Sequence, residues 1–176
     1  MPEARENENA DALQSNMTIG SLCSVKDKVV VISGGGSGIG AMLASGFAQN
    51  GSSVYVFSRK DASAFAADVT RKGPGTCTAI QADLQKDDSV SAAVAFIHQR
   101  EGRVDVLINN AGTNYNASLQ DTPTKMFGKV LEVNVTGIFR AVQKFEPLLL
   151  AAPPPARIIN ISSINGMEPP VLLDTY

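Results

Sequence analysis

The sequence has 176 residues, of which 44% are hydrophobic and 18% charged, and its net charge is −2 at pH 7. These values are ordinary for a single soluble globular domain. The near-neutral charge argues against a nucleic-acid partner or an anionic membrane surface, and no apolar run reaches the length of a membrane span. Residues 1–18 are polar and rich in acids, unlike a signal or transit peptide. They predict a disordered N-terminal arm before a folded domain at 19–176, in a cytoplasmic protein.

Short apolar runs alternate with segments of helical composition along the chain. The predicted strands are Lys28–Ser33, Ser53–Ser58, Thr76–Gln81, Val104–Asn109 and Arg157–Ile161. The predicted helices are Ala41–Gln49, Asp61–Lys72, Asp87–Arg100 and a long helix that begins at Thr122-Pro123 and ends before Pro153. Thr122 is expected to cap the long helix, with Pro123 in its first turn. One apolar stripe is predicted along it: Phe127, Val130, Leu131, Val135, Ile138, Val142 and Phe145.

This alternation predicts an α/β fold. Strands joined by helical crossovers form a doubly wound parallel sheet of the Rossmann type, with helices on both faces. The expected strand order is 3-2-1-4-5. A ligand crevice is expected at the carboxyl ends of strands 1 and 4, where the strand order reverses.

A glycine-rich turn joins the first strand to the next helix, with glycine at five of the seven positions from Gly34 to Gly40. Glycines let the backbone turn tightly and approach a pyrophosphate, while the helix start directs free N–H groups at that anion. A P-loop is excluded because no Gly-Lys-Ser/Thr follows. The turn predicts a dinucleotide site built from Ser33, Gly34, Gly36, Ser37, Gly38, Ile39 and Gly40.

The end of the second strand indicates which dinucleotide is preferred. Sites for NAD carry an acid at this point, which binds the ribose hydroxyls. Here the strand is followed by Arg59 and Lys60, and the first acid is Asp61. Because an arginine suits a 2′-phosphate, the sequence favours NADP(H). The alternative is a solvated basic pair without a ligand.

Four further motifs follow in order along the chain. They are Asp83-Leu84, Asn109-Asn110-Ala111-Gly112, Asn134-Val135-Thr136-Gly137 and Ile161-Ser162-Ser163. With the glycine turn, they resemble the classical short-chain dehydrogenase/reductase family, whose TGxxxGxG pattern has threonine where this chain has Ser33. The resemblance spans roughly residues 25 to 176, and Leu22–Lys60 is also similar to fungal relatives of bacterial β-ketoacyl reductases. It implies that Asp83 and Leu84 meet the adenine, and that Asn110, Ala111 and Gly112 contact the cofactor.

The resemblance also implies NADP-dependent reduction of a ketone or 3-oxoacyl carbonyl to an alcohol. The family's catalytic set is Asn, Ser, Tyr and Lys, and Asn134 and Ser163 match the first two. The serine stabilises charge on the carbonyl oxygen, the tyrosine is the acid/base, and the asparagine holds a water. Tyr176 lies at a typical distance after Ser163, but it is the last residue and no lysine follows. It is therefore either the catalytic tyrosine or a neighbour of it.

In the family, the sheet continues beyond strand 5, and the long helix forms a homodimer or homotetramer interface. The resemblance thus implies a fold that is incomplete on its C-terminal side, with strand 5 as an edge and an exposed apolar patch on the long helix. A catalytically incomplete cofactor-binding fragment is the alternative to an active reductase. A sugar-nucleotide epimerase is disfavoured by Asn109–Gly112. No metal site is expected, because His98 is the only histidine and the cysteines lack metal spacing.

Overall fold

The structure is a computed structural model that describes residues 19–164, so the predicted arm 1–18 and Tyr176 lie outside the described residues. The strands are β1 (Val29–Ser33), β2 (Ser53–Ser58), β3 (Thr76–Gln81), β4 (Val106–Asn109) and β5 (Arg157–Asn160). The helices are α1 (Ile19–Leu22), α2 (Gly38–Gln49), α3 (Ser63–Lys72), α4 (Asp87–Glu101), α5 (Thr124–Leu131) and α6 (Gly137–Leu150). A π-helical turn, Glu132–Thr136, joins α5 to α6.

The strands form one parallel sheet in the order β3-β2-β1-β4-β5, which confirms the predicted α/β fold and strand order. β1 lies at the centre, where Val30 pairs with Val54 of β2 and with Val106 of β4. The order reverses between β1 and β4, because the chain crosses from β3 over the sheet to its other side. All five carboxyl ends therefore share one edge, where ligands of doubly wound sheets bind.

Two apolar layers hold the helices to the sheet. One layer packs β1 and β2 residues such as Val31 and Phe57 against α4 and α6, with Ile97 and Phe145 fully buried. The other packs the alternate strand residues, such as Ile32 and Val56, against α2 and α3. Because both faces are covered, the central strands are apolar throughout rather than alternating.

A buried carboxylate fastens the opposite, amino edge of the sheet. Asp105 is 3% exposed and accepts hydrogen bonds from the Val29 N–H (2.9 Å), from Lys28 Nζ (3.0 Å) and from Arg103 Nε (3.2 Å). Burial alone would raise the pKa of Asp105, but these hydrogen bonds and the Lys28 charge outweigh burial and hold the pKa below its ordinary value. Asp105 thus ties the start of β1 to the segment that leads into β4.

Several predicted boundaries were wrong by a few residues. α2 begins at Gly38 rather than Ala41, α3 at Ser63 rather than Asp61, and β4 at Val106 rather than Val104. β1 begins one residue later than predicted, α4 ends one residue later, and β5 ends at Asn160.

The start of the long helix was also mispredicted. It begins at Thr124 with Pro123 in the cap position, and the Thr122 hydroxyl donates to the Ser118 carbonyl (2.8 Å) instead of capping the helix.

The long helix is not the continuous α-helix that was predicted, because the π-helical turn interrupts it. The predicted stripe consequently divides between core and surface. Val130 and Phe145 are buried, whereas Phe127, Leu131 and Val135 are exposed together with Phe139. Those four exposed side chains are spaced four residues apart, so they adjoin one another along the helix and form the expected apolar patch.

In the described part of the chain, the sheet ends at β5, which pairs with β4 on one side only. All four residues of β5 are exposed, as expected for an edge strand. Among residues 19–164, no helix is both long enough and apolar enough to cross a lipid bilayer.

Candidate functional site

A cleft of about 410 Å³ lies at the carboxyl edge of the sheet. Its walls come from the segments that follow β1, β2, β3 and β4, and from the helix after β4. The lining residues are Gly34, Gly36, Ser37, Phe57, Ser58, Arg59, Lys60, Ala82, Asp83, Leu84, Gln85, Asn110, Ala111, Gly112, Thr113, Lys129 and Val133. The cleft therefore lies at the crevice position predicted from the strand order.

The glycine turn forms the floor of the cleft at the start of α2. Gly38 has φ +53°, a left-handed conformation that favours glycine, and a Cβ there would meet no atom within 4 Å. Ser37 precedes the helix without capping it through its side chain. The first N–H groups of an α-helix have no intrahelical acceptor, so this helix start offers donors and a positive dipole end to an anion.

Gly40 permits the close contact between the turn and the loop that follows β4. A Cβ at this position would lie 2.3 Å from the Gly34 carbonyl oxygen and 2.5 Å from Asn110 Nδ2. Asn110 Nδ2 itself donates to the carbonyls of Ser33 (3.0 Å) and Gly34 (3.2 Å). The second asparagine of the Asn-Asn-Ala-Gly motif thus fixes the shape of the glycine turn.

Ser33 strengthens the same junction from beneath. Its buried hydroxyl accepts hydrogen bonds from the N–H groups of Asn110 and Ala111, both at 3.0 Å. The same hydroxyl donates to the Ile108 carbonyl, at 3.4 Å. Serine thus provides a hydroxyl at this position, as the threonine of the TGxxxGxG pattern would. The end of β1 and the end of β4 are consequently one hydrogen-bonded unit.

The end of β2 places two cations at the cleft. Arg59 and Lys60 both line it and are exposed, and the Arg59 carbonyl accepts a hydrogen bond from Gln81 Nε2 (3.0 Å). The next residue, Asp61, accepts a hydrogen bond from the Ser63 N–H (2.9 Å), which lowers the pKa of Asp61. Its carboxylate is thus engaged at the start of α3 rather than at the cleft.

The loop after β3 contributes an acid and an apolar side chain. Asp83 Oδ1 accepts a hydrogen bond from the Gln85 N–H (3.0 Å), and the Asp83 N–H donates to Ser89 Oγ (3.0 Å). Leu84 is buried and lines the cleft. The resulting surface combines an apolar contact with a carboxylate at its margin, which suits an aromatic base with an exocyclic amine.

Asn134 lies in the π-helical turn, and its side chain binds the loop after β4. Its Oδ1 accepts a hydrogen bond from the Thr113 N–H (2.9 Å), and its Nδ2 donates to the Thr113 carbonyl (2.8 Å). Both polar atoms of the amide are therefore occupied by Thr113. The side chain therefore positions the loop that follows β4.

Ser163 follows β5 and is exposed. The end of this strand is tied to β4, because Asn109 Nδ2 donates to Asn160 Oδ1 (2.8 Å). Asn109 is fully buried, and its own Oδ1 has no hydrogen-bond partner among the described residues. The pair aligns the carboxyl ends of β4 and β5, and thereby the segment that carries Ser163.

Most residues of the predicted cofactor site border this cleft. Gly34, Gly36, Ser37, Arg59, Asp83, Leu84, Asn110, Ala111 and Gly112 line it. Ser33 and Gly40 lie beneath it as structural contacts, while Gly38 and Ile39 form the start of α2. Within residues 19–164, no group of three or more His, Cys, Asp or Glu side chains is placed to hold a metal ion.

Sequence reasoning missed part of the far wall. Lys129 and Val133 both line the cleft. Their four-residue spacing could have indicated that they share one face of a helix. The predicted apolar stripe, however, included Val130 and placed neither of them on the side that faces the sheet. Thr113 and Gln85 also line it, and each directly follows a predicted motif.

Comparison with known proteins agrees with this geometry. Residues 28–176 match the sequence profile of the short chain dehydrogenase family. The rhamnolipid-biosynthesis 3-oxoacyl-(acyl-carrier-protein) reductase of Pseudomonas aeruginosa is 37% identical over 149 residues, which make up 82% of this chain and 58% of that protein. An oxidoreductase of Bacillus subtilis, YxjF, is 33% identical over 81% of this chain and 56% of its own length.

Solved structures show the same likeness. The NADP active-site complex of Pseudomonas aeruginosa RhlG has a TM-score of 0.79 and 32% identity, over 85% of this chain and 60% of that one. L-sorbose reductase from Gluconobacter frateurii, solved with NADPH and L-sorbose, has a TM-score of 0.78 and 26% identity, over 86% of this chain and 58% of that one. The chain thus spans somewhat more than half the length of these relatives. With its profile match, its fold and its motifs in order, it belongs to the short-chain dehydrogenase/reductase family.

Proposed function

We propose that residues 19–176 form a domain that binds NADP(H) in the cleft at the carboxyl edge of the sheet. The observation that carries this proposal is the charge around the cleft. Among residues 19–164, three cations line it, Arg59, Lys60 and Lys129, against the single carboxylate of Asp83. A dinucleotide with a 2′-phosphate is strongly anionic, and such a ligand complements this lining.

The details of the β2 end favour NADP(H) over NAD(H). A site for NAD(H) needs an acid to accept hydrogen bonds from the ribose hydroxyls. Asp61 does not line the cleft, and its carboxylate binds the Ser63 N–H. Arg59 and Lys60 occupy the position instead, where they suit a phosphate. RhlG and L-sorbose reductase, which bind NADP and NADPH in their solved structures, support the same choice.

The glycine turn fits the pyrophosphate. The start of α2 is left without a side-chain cap, and the backbone at Gly38 faces open space. A bound pyrophosphate would accept hydrogen bonds from these N–H groups and gain from the helix dipole. Leu84 and Val133, which both line the cleft, would contact the adenine ring.

For the protein as a whole, we propose reduction of a carbonyl compound to an alcohol, with a 3-oxoacyl thioester or another ketone as substrate. NADPH supplies the hydride when bound. Ser163 donates a hydrogen bond to the carbonyl oxygen, and Tyr176 delivers a proton to that oxygen as it gains charge. Asn134 acts as a positioning residue through Thr113. The P. aeruginosa reductase, with its 3-oxoacyl substrate, supports this substrate class.

We also propose that the protein assembles as a homodimer or homotetramer through the patch formed by Phe127, Leu131, Val135 and Phe139. The support is the exposure of four adjoining apolar side chains on one helix. Contiguous apolar patches on a protein surface often mark sites of protein–protein interaction.

Calorimetric titration of the chain with NADPH and with NADH tests the cofactor assignment. Saturable binding that favours NADPH is expected. Arg59→Ala should weaken NADPH binding by about tenfold or more and leave NADH binding unchanged, because a charge-assisted hydrogen bond to the 2′-phosphate is lost. Arg71→Ala is the matched control, since Arg71 is an exposed arginine on α3 that pairs with Asp68 away from the cleft.

Equal affinity for the two cofactors, or equal effects of the two arginine variants, would contradict the assignment. The reaction is tested separately, by following NADPH oxidation with an acetoacetyl thioester and a diketone.

A further inference from the structure

Arg140 connects three separate elements beside the cofactor cleft. It lies in the first turn of α6 and is largely buried, with 18% of its side chain exposed. Its Nη1 donates to the Leu84 carbonyl, and its Nη2 donates to Glu132 Oε1 (3.1 Å). Its Nε lies 3.9 Å from the carboxylate of Asp87 at the start of α4.

Two of these partners belong to separate segments that border the cleft. Leu84 is part of the wall that follows β3, and its side chain lines the cleft. Glu132 is the first residue of the π-helical turn, and the next residue, Val133, also lines the cleft. The guanidinium of Arg140 therefore joins these two segments without lining the cleft itself.

Leu84 also lies close to Gly137, the first residue of α6. A Cβ at Gly137 would lie 3.2 Å from Leu84 Cβ and 3.1 Å from the Glu132 carbonyl oxygen. The absence of a side chain at Gly137 lets Leu84 lie this close to α6, while the two hydrogen bonds of Arg140 limit how far Leu84 and Glu132 separate. A planar guanidinium with donors in a fixed fork can hold both acceptors at once, which an ammonium group cannot do with the same rigidity.

We propose that Arg140 is a positioning residue that sets the separation of Leu84 and Val133, and so the width of the end of the cleft that receives the adenine. This inference rests on the proposed binding of NADP(H). Arg140 does not line the cleft, so its effect on the cofactor is transmitted through the backbone of Leu84 and through Glu132.

The test uses adenosine 2′,5′-bisphosphate, which carries the adenine and the 2′-phosphate but no nicotinamide. Calorimetric affinities for it and for NADPH are measured at a temperature where circular dichroism shows every variant folded. Arg140→Gln should weaken both ligands by about tenfold and by similar factors, because the altered contact lies at the adenine end. Arg140→Lys, which retains the charge and one donor direction, should recover part of the affinity.

Lys144→Gln is the matched control. Lys144 Nζ donates to the Asp87 carboxylate (2.9 Å), so this variant also removes a cation from Asp87 but leaves the Leu84 contact intact. Its affinities should stay within about twofold of those of the unaltered chain.

Three results would overturn the proposal: Arg140→Gln with unchanged affinities, Lys144→Gln with an equal loss, or a loss for NADPH without one for the bisphosphate. If Arg140→Gln does not fold, Arg140→Lys decides, and affinity equal to that of the unaltered chain overturns the inference. An unaltered chain that binds neither ligand would refute the proposed function and this inference with it. Binding by the unaltered chain with no effect at Arg140 refutes the inference alone.

Discussion

Replacing Gly40 by alanine tests whether the glycine turn and the loop after β4 depend on their close contact. The added Cβ would lie 2.3 Å from the Gly34 carbonyl oxygen, whereas ordinary contacts begin at 3.4 Å. The backbone of the turn must therefore move by about 1 Å, at a cost typical of overpacking, about 3 kcal/mol. Alanine is a better helix former than glycine by about 1 kcal/mol, so the net loss of unfolding free energy is about 2 kcal/mol.

Gly46→Ala is an internal control in the same helix. A Cβ at Gly46 would meet no atom within 4 Å, and the residue is exposed. Only the helix-propensity gain remains, so this variant should be stabilised by about 1 kcal/mol. The same chemical change, six positions apart, is thus expected to have opposite signs.

Urea unfolding followed by circular dichroism measures both variants. The difference between them, about 3 kcal/mol, corresponds to midpoints about 1.5 M apart for a slope of about 2 kcal/mol/M. NADPH affinity should fall at least about tenfold in Gly40→Ala, because the displaced turn borders the cleft, and should be unchanged in Gly46→Ala. A Gly40→Ala protein as stable as Gly46→Ala would refute the argument that Gly40 has no room for a side chain.

Three other changes give separate tests. Asp105→Asn should lower the unfolding free energy at pH 7 by about 2 kcal/mol, because Lys28, Arg103 and the Val29 N–H lose a charged acceptor. Since the folded-state pKa of Asp105 is lowered, its carboxylate stabilises the fold above its unfolded pKa of about 3.9, and this stabilisation is lost as the pH falls through the folded-state pKa. The urea midpoints of Asp105→Asn and the unaltered chain should therefore converge as the pH falls below about 3.9, and a constant gap would contradict this reasoning. Ser33→Ala should lower the free energy of unfolding in urea by about 2 kcal/mol, because the N–H groups of Asn110 and Ala111 lose their acceptor. Ser33→Thr should retain most of the stability. Equal losses in the two variants would exclude the hydroxyl as the cause. Lys129→Gln should weaken NADPH binding by about threefold to tenfold in calorimetry. Lys125→Gln, one turn earlier and outside the cleft lining, should leave it unchanged. An equal effect of both variants would mean that only the net charge of the protein matters.

The sequence predicted strands best where glycine-containing turns precede them. β2 and β3 have the predicted ends, because Asn50-Gly51 and Gly73-Pro74-Gly75 separate them from the neighbouring helices. The β4 prediction extended too far at its start, since Val104 is buried and apolar without belonging to the strand. Its N–H donates instead to the Leu148 carbonyl (2.9 Å) in α6. A buried apolar residue outside a strand has the same sequence signature as one within it. Only the hydrogen bond from Val104 to α6 shows that this residue is not part of β4.

The parts of the site carried by strand ends were predictable, because parallel strands deliver their carboxyl ends to one edge. The far wall was not, since it depends on the π-helical turn. No residue type in Glu132–Thr136 specifies such a turn. In the structure, it is held by contacts distant in sequence: Asn134 binds Thr113, and Arg140 joins Glu132 to Leu84. Val133 lies within this turn, so a regular helix projection misplaces it.

The two cysteines differ in a way that is useful for experiments. Cys77 is buried beneath α3, and burial raises the pKa of its thiol to about 11, so almost none of it is thiolate at neutral pH. Cys23 is exposed and precedes β1, at the edge of the sheet away from the cleft. A maleimide dye added to the folded protein should therefore attach at one position without any cysteine being removed by mutation. That dye would report on tumbling and self-association while leaving the cofactor cleft unmodified.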